Sequence, residues 1–398
     1  MLRWFCLMLA ALALHAENVD ALIDKALERH DSLKAIQQRL EALDAMADKS
    51  RLFADPELSL SVNDIQLDDP FDRSLEPMQF SAVSVKQKFP WFGKRDAATG
   101  EVEARKAVLF ASLEAAQAEL AMRIRQSVYT LLEYRRRLAL LDDYLKLARQ
   151  QVELNAAYAS TQAGRHMGMM SAELVRTKID IRREKLAAAL KAEKARLTYL
   201  VQSPVGTAEA DETVAPPPPE EQFLQQLDSN RGYRVMIAGE KVAEADVKVR
   251  ELSGNADPFL SVGYYHREAY PDYVSFTVGA ALPIYGAQSD DAEAARKAQL
   301  AAASAADDYR AKTVREIKTA YASLVASYRT YRILTDESVP LAAHMVELSD
   351  AKIRGGSDLF AYFDLLERKL GLDEQRIGAK ADYLRSRATL KALTGGIR

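Results

Sequence analysis

The sequence is poor in the residues and motifs that enzymes depend on. Its only cysteine, Cys6, lies in an N-terminal apolar stretch, and none of its five histidines pairs with a cysteine or stands at metal-ligand spacing on a predicted helix. A nucleophile elbow, a phosphate-cradling glycine loop and an HExxH motif are also missing. The sequence therefore predicts neither an enzyme nor a resident cofactor.

The chain also lacks an excess of charge. Its 54 basic and 57 acidic residues are interspersed and give a net charge of -3. A nucleic-acid-binding surface or a polybasic membrane patch would require clustered lysine and arginine. Binding to nucleic acid is therefore not expected.

The first sixteen residues are too short to span a bilayer. They contain one arginine, an apolar run from Trp4 to Leu14 and then small residues, which is typical of a secretory signal peptide. Cleavage after Ala13 or Ala16 would remove Cys6, so the mature chain is expected to have no thiol and no disulfide.

Proline and glycine are almost absent from the stretch that follows FPWFGKR at 89–95. Between Gly100 and Gly164 there is neither, and apolar residues recur with the 3.5-residue period of a coiled coil. The seam residues are Leu120, Ile124, Leu131, Tyr134, Leu138, Leu141 and Leu145, with Ser127 at one seam position. The pattern predicts a single helix roughly 100 Å long.

The same unit recurs in the second half. LPIYG at 282–286 echoes FPWFG, and the 3-4 spacing resumes from Val314 to Tyr331. We therefore predict a signal peptide (1–16), a first structural repeat (17–203), a proline-rich linker (204–220) and a second repeat (221–398).

Each predicted repeat also contains two extended stretches, which lie at 54–62 and 79–89 and at 256–264 and 273–282. Leu58, Leu60 and Val62 alternate with polar residues, and each stretch is about as long as a tilted transmembrane strand. Four strands leave two open edges, which cannot face lipid, so several chains would have to close one barrel. Two soluble hairpins that cap a coiled coil are the alternative.

Glycines mark the ends of the long helical stretches. Turns are predicted at Gly164 and at Gly355 and Gly356, and the first is followed by His166, Met167, Met169 and Met170. Thioethers suit ions such as Cu(I), whereas methionine also fills irregular turns and adaptable partner surfaces. The cluster is therefore a candidate metal contact, with packing or partner contact as the alternative.

The combined pattern resembles the TolC-like outer-membrane efflux protein family over essentially the whole mature sequence. The resemblance rests on the duplicated order of elements, on FPWFGK at 89–94 and on ADP at 54–56 and 256–258. With Gln87 before it, FPWFGK is similar to the heavy-metal cation efflux branch. The strand-to-helix corners of the two repeats would contain Pro90, Trp91 and Gly93, and Pro283 and Gly286.

The resemblance implies a mainly α protein with a small β part. Long coiled helices would form an α-helical barrel, and four strands per chain would contribute to a trimeric 12-stranded β-barrel in the Gram-negative outer membrane. The homotrimer would contact outer-membrane lipid and act as an exit duct for a periplasmic adaptor and an inner-membrane pump. Gly164, Gly355 and Gly356 would lie at the adaptor-docking tips.

The resemblance also implies an acidic aperture at Asp364 and Glu367, because family members carry an acidic pair on the corresponding helix and FDLLE at 363–367 matches it. The alternative is an ordinary solvated helix face, since Arg368 and Lys369 follow directly. Heavy-metal cations are the expected substrate, with drugs, small organic molecules or type I protein secretion as alternatives. A periplasmic coiled-coil adaptor or scaffold is the alternative of another class.

Overall fold

The computed structural model describes residues 17–158, 162–353 and 359–397. The fold is mainly α with a small β part, as the sequence predicts. The helices in these ranges are α1 (Val19–Arg29), α2 (Asp31–Ser50), α3 (Lys94–Tyr158), α4 (Gln162–Val201), α5 (Glu220–Leu224), α6 (Arg231–Ser253), α7 (Ala287–Ile333), α8 (Val339–Ile353) and α9 (Leu359–Leu393). The predicted signal peptide lies outside the described residues.

The strands form one four-stranded sheet and one short pair. They are β1 (Glu17–Asn18), β2 (Glu57–Asn63), β3 (Phe80–Lys88), β4 (Ala208–Glu209), β5 (Pro258–His266) and β6 (Tyr273–Ala280). The larger sheet is antiparallel in the order β2-β3-β5-β6, so β2 and β6 are its edges. β1 and β4 form a two-residue parallel ladder.

One face of the four-stranded sheet is apolar and exposed. Leu58 pairs with Val85, Val85 with Val262, and Val262 with Phe276, so their side chains share a face. Leu60 and Val278, on the same face, are 78% and 77% exposed. The opposite face carries serine, threonine and lysine together with aromatic side chains such as Phe259 and Tyr265. A polar solvent would not favour so much exposed apolar side chain on a single sheet face.

Chain contacts divide the protein into two compact units. One unit contains residues 17–34, 114–231 and 311–397, and the other contains 35–113 and 232–310. Each unit draws residues from both predicted repeats, because α3 and α7 each contribute residues to both units. The predicted repeat boundaries concern the sequence order and stay a prediction.

The coiled-coil seam forms the core of the first unit. Ile124, Leu131 and Leu141 of α3 are buried, and Ser127 at the polar seam position is buried with them. One apolar cluster joins α3 to α4 and α9 through Leu141, Ile179 and Leu366. A second joins α3 to α7 and α9 through Tyr129, Ile317, Leu324 and Leu384. The seam residues thus pack against helices that are far apart from α3 in sequence.

Two helices that we predict as continuous are interrupted. The helix predicted from Asn18 to Phe53 breaks at His30, where extended backbone (φ -64°, ψ 120°) separates α1 from α2. The His30 ring accepts from the backbone N–H of Ser32 (3.3 Å), which gives the new helix a side-chain cap. The helix predicted from Gln222 to Leu252 is divided into α5, a 3₁₀ turn (Leu227–Ser229) and α6.

A π segment, Leu334–Ser338, joins α7 to α8. Pro340 stands two residues beyond it, inside a helical run, and its ring cannot pack against the carbonyl of Asp336 in regular α geometry. The wider π turn accommodates this proline. The proline in the sequence is the feature that could have indicated the interruption.

The turn predicted at Gly164 is also displaced, because α3 ends at Tyr158 and α4 already begins at Gln162. Gly164 is therefore helical. A glycine in a helix costs only about 1 kcal/mol relative to alanine, which packing of a 40-residue helix readily offsets. Among the described helices, none combines the length and apolar character needed to cross a bilayer.

Candidate functional site

The strand-to-helix corners use glycine for backbone reasons. Gly93 (φ 75°) and Gly286 (φ 79°) stand directly before α3 and α7, in the left-handed region that side-chain-bearing residues disfavour. A Cβ at either position would meet no atom within 4 Å, so the backbone conformation rather than space requires glycine.

Residues of the sequence motifs hold the first corner together. The Asp257 carboxylate pairs with Lys94 Nζ (2.8 Å) and accepts from the Trp91 backbone N–H (3.3 Å). Lys94 also donates to the carbonyl of Asn255 (2.6 Å), and Gln87 donates to the carbonyl of Ala54 (2.9 Å). The ADP and FPWFGK motifs therefore meet in space, although about 160 residues separate Lys94 from Asp257.

The predicted aperture residues each have a counter-charge within the chain. Asp364 pairs with Arg368 of its own helix (2.9 Å). Glu367 pairs across to α4, with Lys178 at 2.8 Å and Arg182 at 3.6 Å. The sequence did not indicate the α4 partners, because 189 residues separate Lys178 from Glu367.

This group is electrically balanced. Arg182 also pairs with Glu374 of α9 (3.3 Å), so three carboxylates (Asp364, Glu367, Glu374) face three cations (Lys178, Arg182, Arg368). All six side chains are partly exposed, at 22–73%. Removal of a carboxylate would therefore leave positive charge in excess.

A buried polar cluster ties α3 to α9 at Asp373, which precedes Glu374 in the chain. The Asp373 carboxylate, 4% exposed, accepts from the Tyr144 hydroxyl (2.9 Å) and pairs with Lys369 (2.8 Å) and Arg376 (3.1 Å). Burial, followed by the charge of Asp373, raises the pKa of the Tyr144 phenol far above its ordinary value. Tyr144 therefore stays protonated and continues to donate to Asp373.

A second buried cluster joins the same two helices. Glu133, 7% exposed, pairs with Arg385 (2.7 Å) and with Arg137 (2.7 Å). Arg385 also pairs with Asp382 (2.7 Å), and these pairings raise the pKa of its guanidinium although burial opposes them. A Cβ at Gly378 would lie 2.7 Å from the Arg137 guanidinium, so glycine leaves room for the cluster.

The methionines of the predicted tip lie on α4. Met169 and Met170 are exposed and line a groove of about 480 Å³ between α3 and α4, with Arg149, Glu173 and Arg176. The side chains of His166 and Met167 lie outside the described part of the structure, as do Gly355 and Gly356. Within the described ranges, no three histidine, cysteine or acidic side chains are grouped so that they could hold a metal.

The fold and these features define a mainly helical protein whose small sheet presents one apolar face outward. The family model described as outer membrane efflux protein matches residues 22–169. No curated protein sequence matches the chain.

Solved structures share the fold over nearly the whole chain. The open-state MtrE outer membrane channel of Neisseria gonorrhoeae has a TM-score of 0.78 at 16% identity, over 95% of this chain and 89% of that one. The CmeC outer membrane channel of Campylobacter jejuni has a TM-score of 0.77 at 14% identity, over 95% and 85%. CusC, described as forming a transmembrane channel, has a TM-score of 0.77 at 13% identity, over 95% and 92%.

Residues 22–169 thus resemble the outer membrane efflux protein family, and the solved channel structures share the fold over nearly the whole chain. The family consists of outer-membrane channels rather than enzymes. The predicted fold class is thereby confirmed, and the match over residues 22–169 agrees with the predicted family, outer-membrane location and non-enzymatic nature. The alternative of a soluble periplasmic adaptor is not supported.

Proposed function

We propose that this protein is the outer-membrane exit duct of a tripartite efflux system and that three copies close one twelve-stranded barrel. The observation that carries the proposal is the exposed apolar face of the β2-β3-β5-β6 sheet, bounded by two open edges. In lipid, unpaired edge groups cost several kcal/mol each, so β2 of one copy must pair with β6 of the next.

Mass measurement in mild detergent tests the proposal directly. We expect a stable trimer that stays with the outer membrane through salt and carbonate washes. A stable monomer with full strand content, or release by carbonate, would contradict it.

The proposed partners follow from the resemblance to the outer-membrane efflux protein family. A periplasmic adaptor would dock at the tips marked by Gly164, Gly355 and Gly356, and it would connect the duct to an inner-membrane pump. The exposed Met169 and Met170 beside the α3–α4 groove suit such a contact, since methionine adapts to varied partner surfaces. Site-specific photocrosslinking from Met170 should capture the adaptor, whereas a crosslinker placed at the strand residue Leu60 should not.

We assign the periplasmic aperture to Asp364 and Glu367, which stand i and i+3 on α9. Three-fold symmetry would bring six such carboxylates around one axis, where they favour cations. Because the surrounding charges balance, Asp364→Asn with Glu367→Gln leaves two uncompensated cations per chain.

Planar-bilayer recordings of the double variant should show reduced cation selectivity and weaker block by multivalent cations. Asp143→Asn is the matched control, because that carboxylate is exposed and, among the described residues, pairs only with Lys146 three positions along the same helix. Unchanged cation selectivity in the double variant would refute the aperture assignment but would not contradict the proposed trimer.

The substrate proposed here is heavy-metal cations, on the basis of Gln87 and FPWFGK. Deletion of the gene should lower tolerance to copper, silver, zinc or cobalt salts more than tolerance to organic drugs, and the opposite order would favour a drug duct.

Replacement of Met167, Met169 and Met170 by leucine keeps the volume approximately and removes the thioethers. Unchanged copper and silver tolerance in that variant would assign the cluster to packing or partner contact.

A further inference from the structure

A groove at the first strand-to-helix corner, which we call the corner groove, opens onto the apolar face of the sheet. It has a volume of about 480 Å³ and is lined by Phe53, Phe89, Trp91, Pro258, Leu260 and Val278. Leu260 pairs with Val278 and belongs to the same apolar face as Leu60. Whatever covers that face therefore extends without a break into the groove.

The lining of the corner groove also includes a cation. Arg95 lines it, and its guanidinium lies 3.9 Å from the centre of the Phe53 ring. Arg95 donates to the backbone carbonyl of Arg51 (3.1 Å) but forms no ion pair with a carboxylate among the described residues. An arginine in this position retains donors for an anion.

A second groove adjoins the first at Pro90 and Arg95. It has a volume of about 640 Å³ and is also lined by Lys49, which is exposed and likewise has no carboxylate partner in the described ranges. The other cation of this groove, Lys94, is neutralised by Asp257 (2.8 Å). Among the described residues that line the two grooves, Arg95 and Lys49 are thus the cations without a carboxylate partner.

We propose that the corner groove binds an anionic phospholipid of the membrane leaflet nearest the helices, with an acyl chain along Phe53, Leu260 and Val278 and the phosphate against Arg95 and Lys49. The occupant must be apolar along its length and anionic at one end, which fits such a lipid. Each cation near an anionic lipid surface increases affinity about fivefold. The proposal rests on the membrane placement of the sheet, which the experiment tests separately.

Trp91 lines the groove and is the natural reporter. The only other tryptophan, Trp4, lies in the predicted signal peptide, and Trp4→Phe removes its contribution if any precursor remains. The full chain is reconstituted in vesicles that contain either brominated phosphatidylglycerol, which is anionic, or brominated phosphatidylcholine, which is zwitterionic. Bromine quenches Trp91 where lipid occupies the groove.

We expect the anionic lipid to quench Trp91 at a lower mole fraction than the zwitterionic one. Lys49→Gln, a change at an exposed side chain, should reduce this preference about fivefold, and Lys49→Gln with Arg95→Gln should abolish it. Lys297→Gln, which removes an exposed cation of α7 outside the groove, should leave the preference unchanged. Equal quenching by both lipids, or a preference that survives the double substitution, would overturn the proposal.

Two further measurements distinguish a failure of the lipid site from a failure of the membrane placement of the sheet. Inorganic phosphate that erases the preference would show a simple anion site and overturn the lipid assignment. Phe276→Trp in a Trp91→Phe background reports on the exposed sheet face itself. If the tryptophan at position 276 is quenched equally by both lipids while Trp91 shows no preference, the lipid site is refuted and the membrane placement of the sheet is retained. If the tryptophan at position 276 is not quenched at all, both the membrane placement and the lipid site are refuted.

Discussion

Asp373→Asn tests whether the buried cluster between α3 and α9 stabilises the helical unit. The substitution keeps the size of the side chain and removes its charge. Tyr144 would still have an acceptor, but Lys369 and Arg376 would lose the carboxylate they share. Removal of one partner from a buried ion pair costs 3–5 kcal/mol in general, about as much as several exposed pairs together.

The exposure of the partners reduces that figure here. Lys369 is 22% exposed and Arg376 is 37% exposed, so water can partly solvate both cations once the carboxylate is neutral. We therefore expect the free energy of unfolding to fall by about 2 kcal/mol. Guanidinium denaturation in mild detergent, followed by helical circular dichroism at one fixed protein concentration, measures the change, since the unfolding of an oligomer depends on concentration.

Asp143→Asn serves as the control, because that carboxylate is 73% exposed and should contribute no more than about 1 kcal/mol. The double variant Asp373→Asn with Lys369→Met should lose less than the sum of the two single variants, because the two residues interact directly. A loss for Asp373→Asn no larger than that for Asp143→Asn, or strict additivity in the cycle, would refute the reasoning.

Three other substitutions test separate parts of the structure. Ser127→Ala should raise the free energy of unfolding by about 1 kcal/mol, because the buried Ser127 hydroxyl has no hydrogen-bond partner among the described residues. Tyr362→Phe should make the protein more resistant to alkali, since burial, followed by the charge of Asp350, raises the pKa of Tyr362 to about 12. The fold favours the neutral phenol, so this stabilisation of about 3 kcal/mol is complete below pH ~10 and is lost as the pH rises towards 12. Gly356→Val should abolish efflux and leave barrel insertion intact, because a predicted tip turn does not tolerate a branched side chain.

Each of these predictions has its own control. Ser327→Ala removes a buried hydroxyl that donates to the Ser323 carbonyl (2.7 Å), so it should not stabilise. Stabilisation by both alanines would contradict the argument from Ser127. Tyr285→Phe, at an exposed tyrosine, should not change the alkaline unfolding, and identical alkaline midpoints for Tyr362→Phe and the parent would exclude the burial effect. For Gly356→Val, failed insertion with retained adaptor binding would show that the tip assignment is wrong.

The sequence by itself determined the elements whose patterns are local. The 3.5-residue seam of α3 and the two-residue alternation of β2 follow from residues close together in the chain. Within α3, Ile124, Leu131 and Leu141 are buried as the period predicts, and Leu58 and Leu60 share the expected face of the sheet. The single cysteine and the lack of catalytic motifs and of clustered charge made most other protein classes unexpected.

Only the tertiary structure decided which charged groups meet. Glu367 stands beside Arg368 in the sequence, which suggested a solvated face, yet its partners are Lys178 and Arg182 of α4. The sequence around Asp373 likewise did not indicate that its carboxylate accepts a hydrogen bond from Tyr144, which lies 229 residues away in the chain. Periodicity specifies which side of a helix is apolar, but the partner of a polar side chain depends on which helices are neighbours and on their relative register, and neither is encoded in a local pattern.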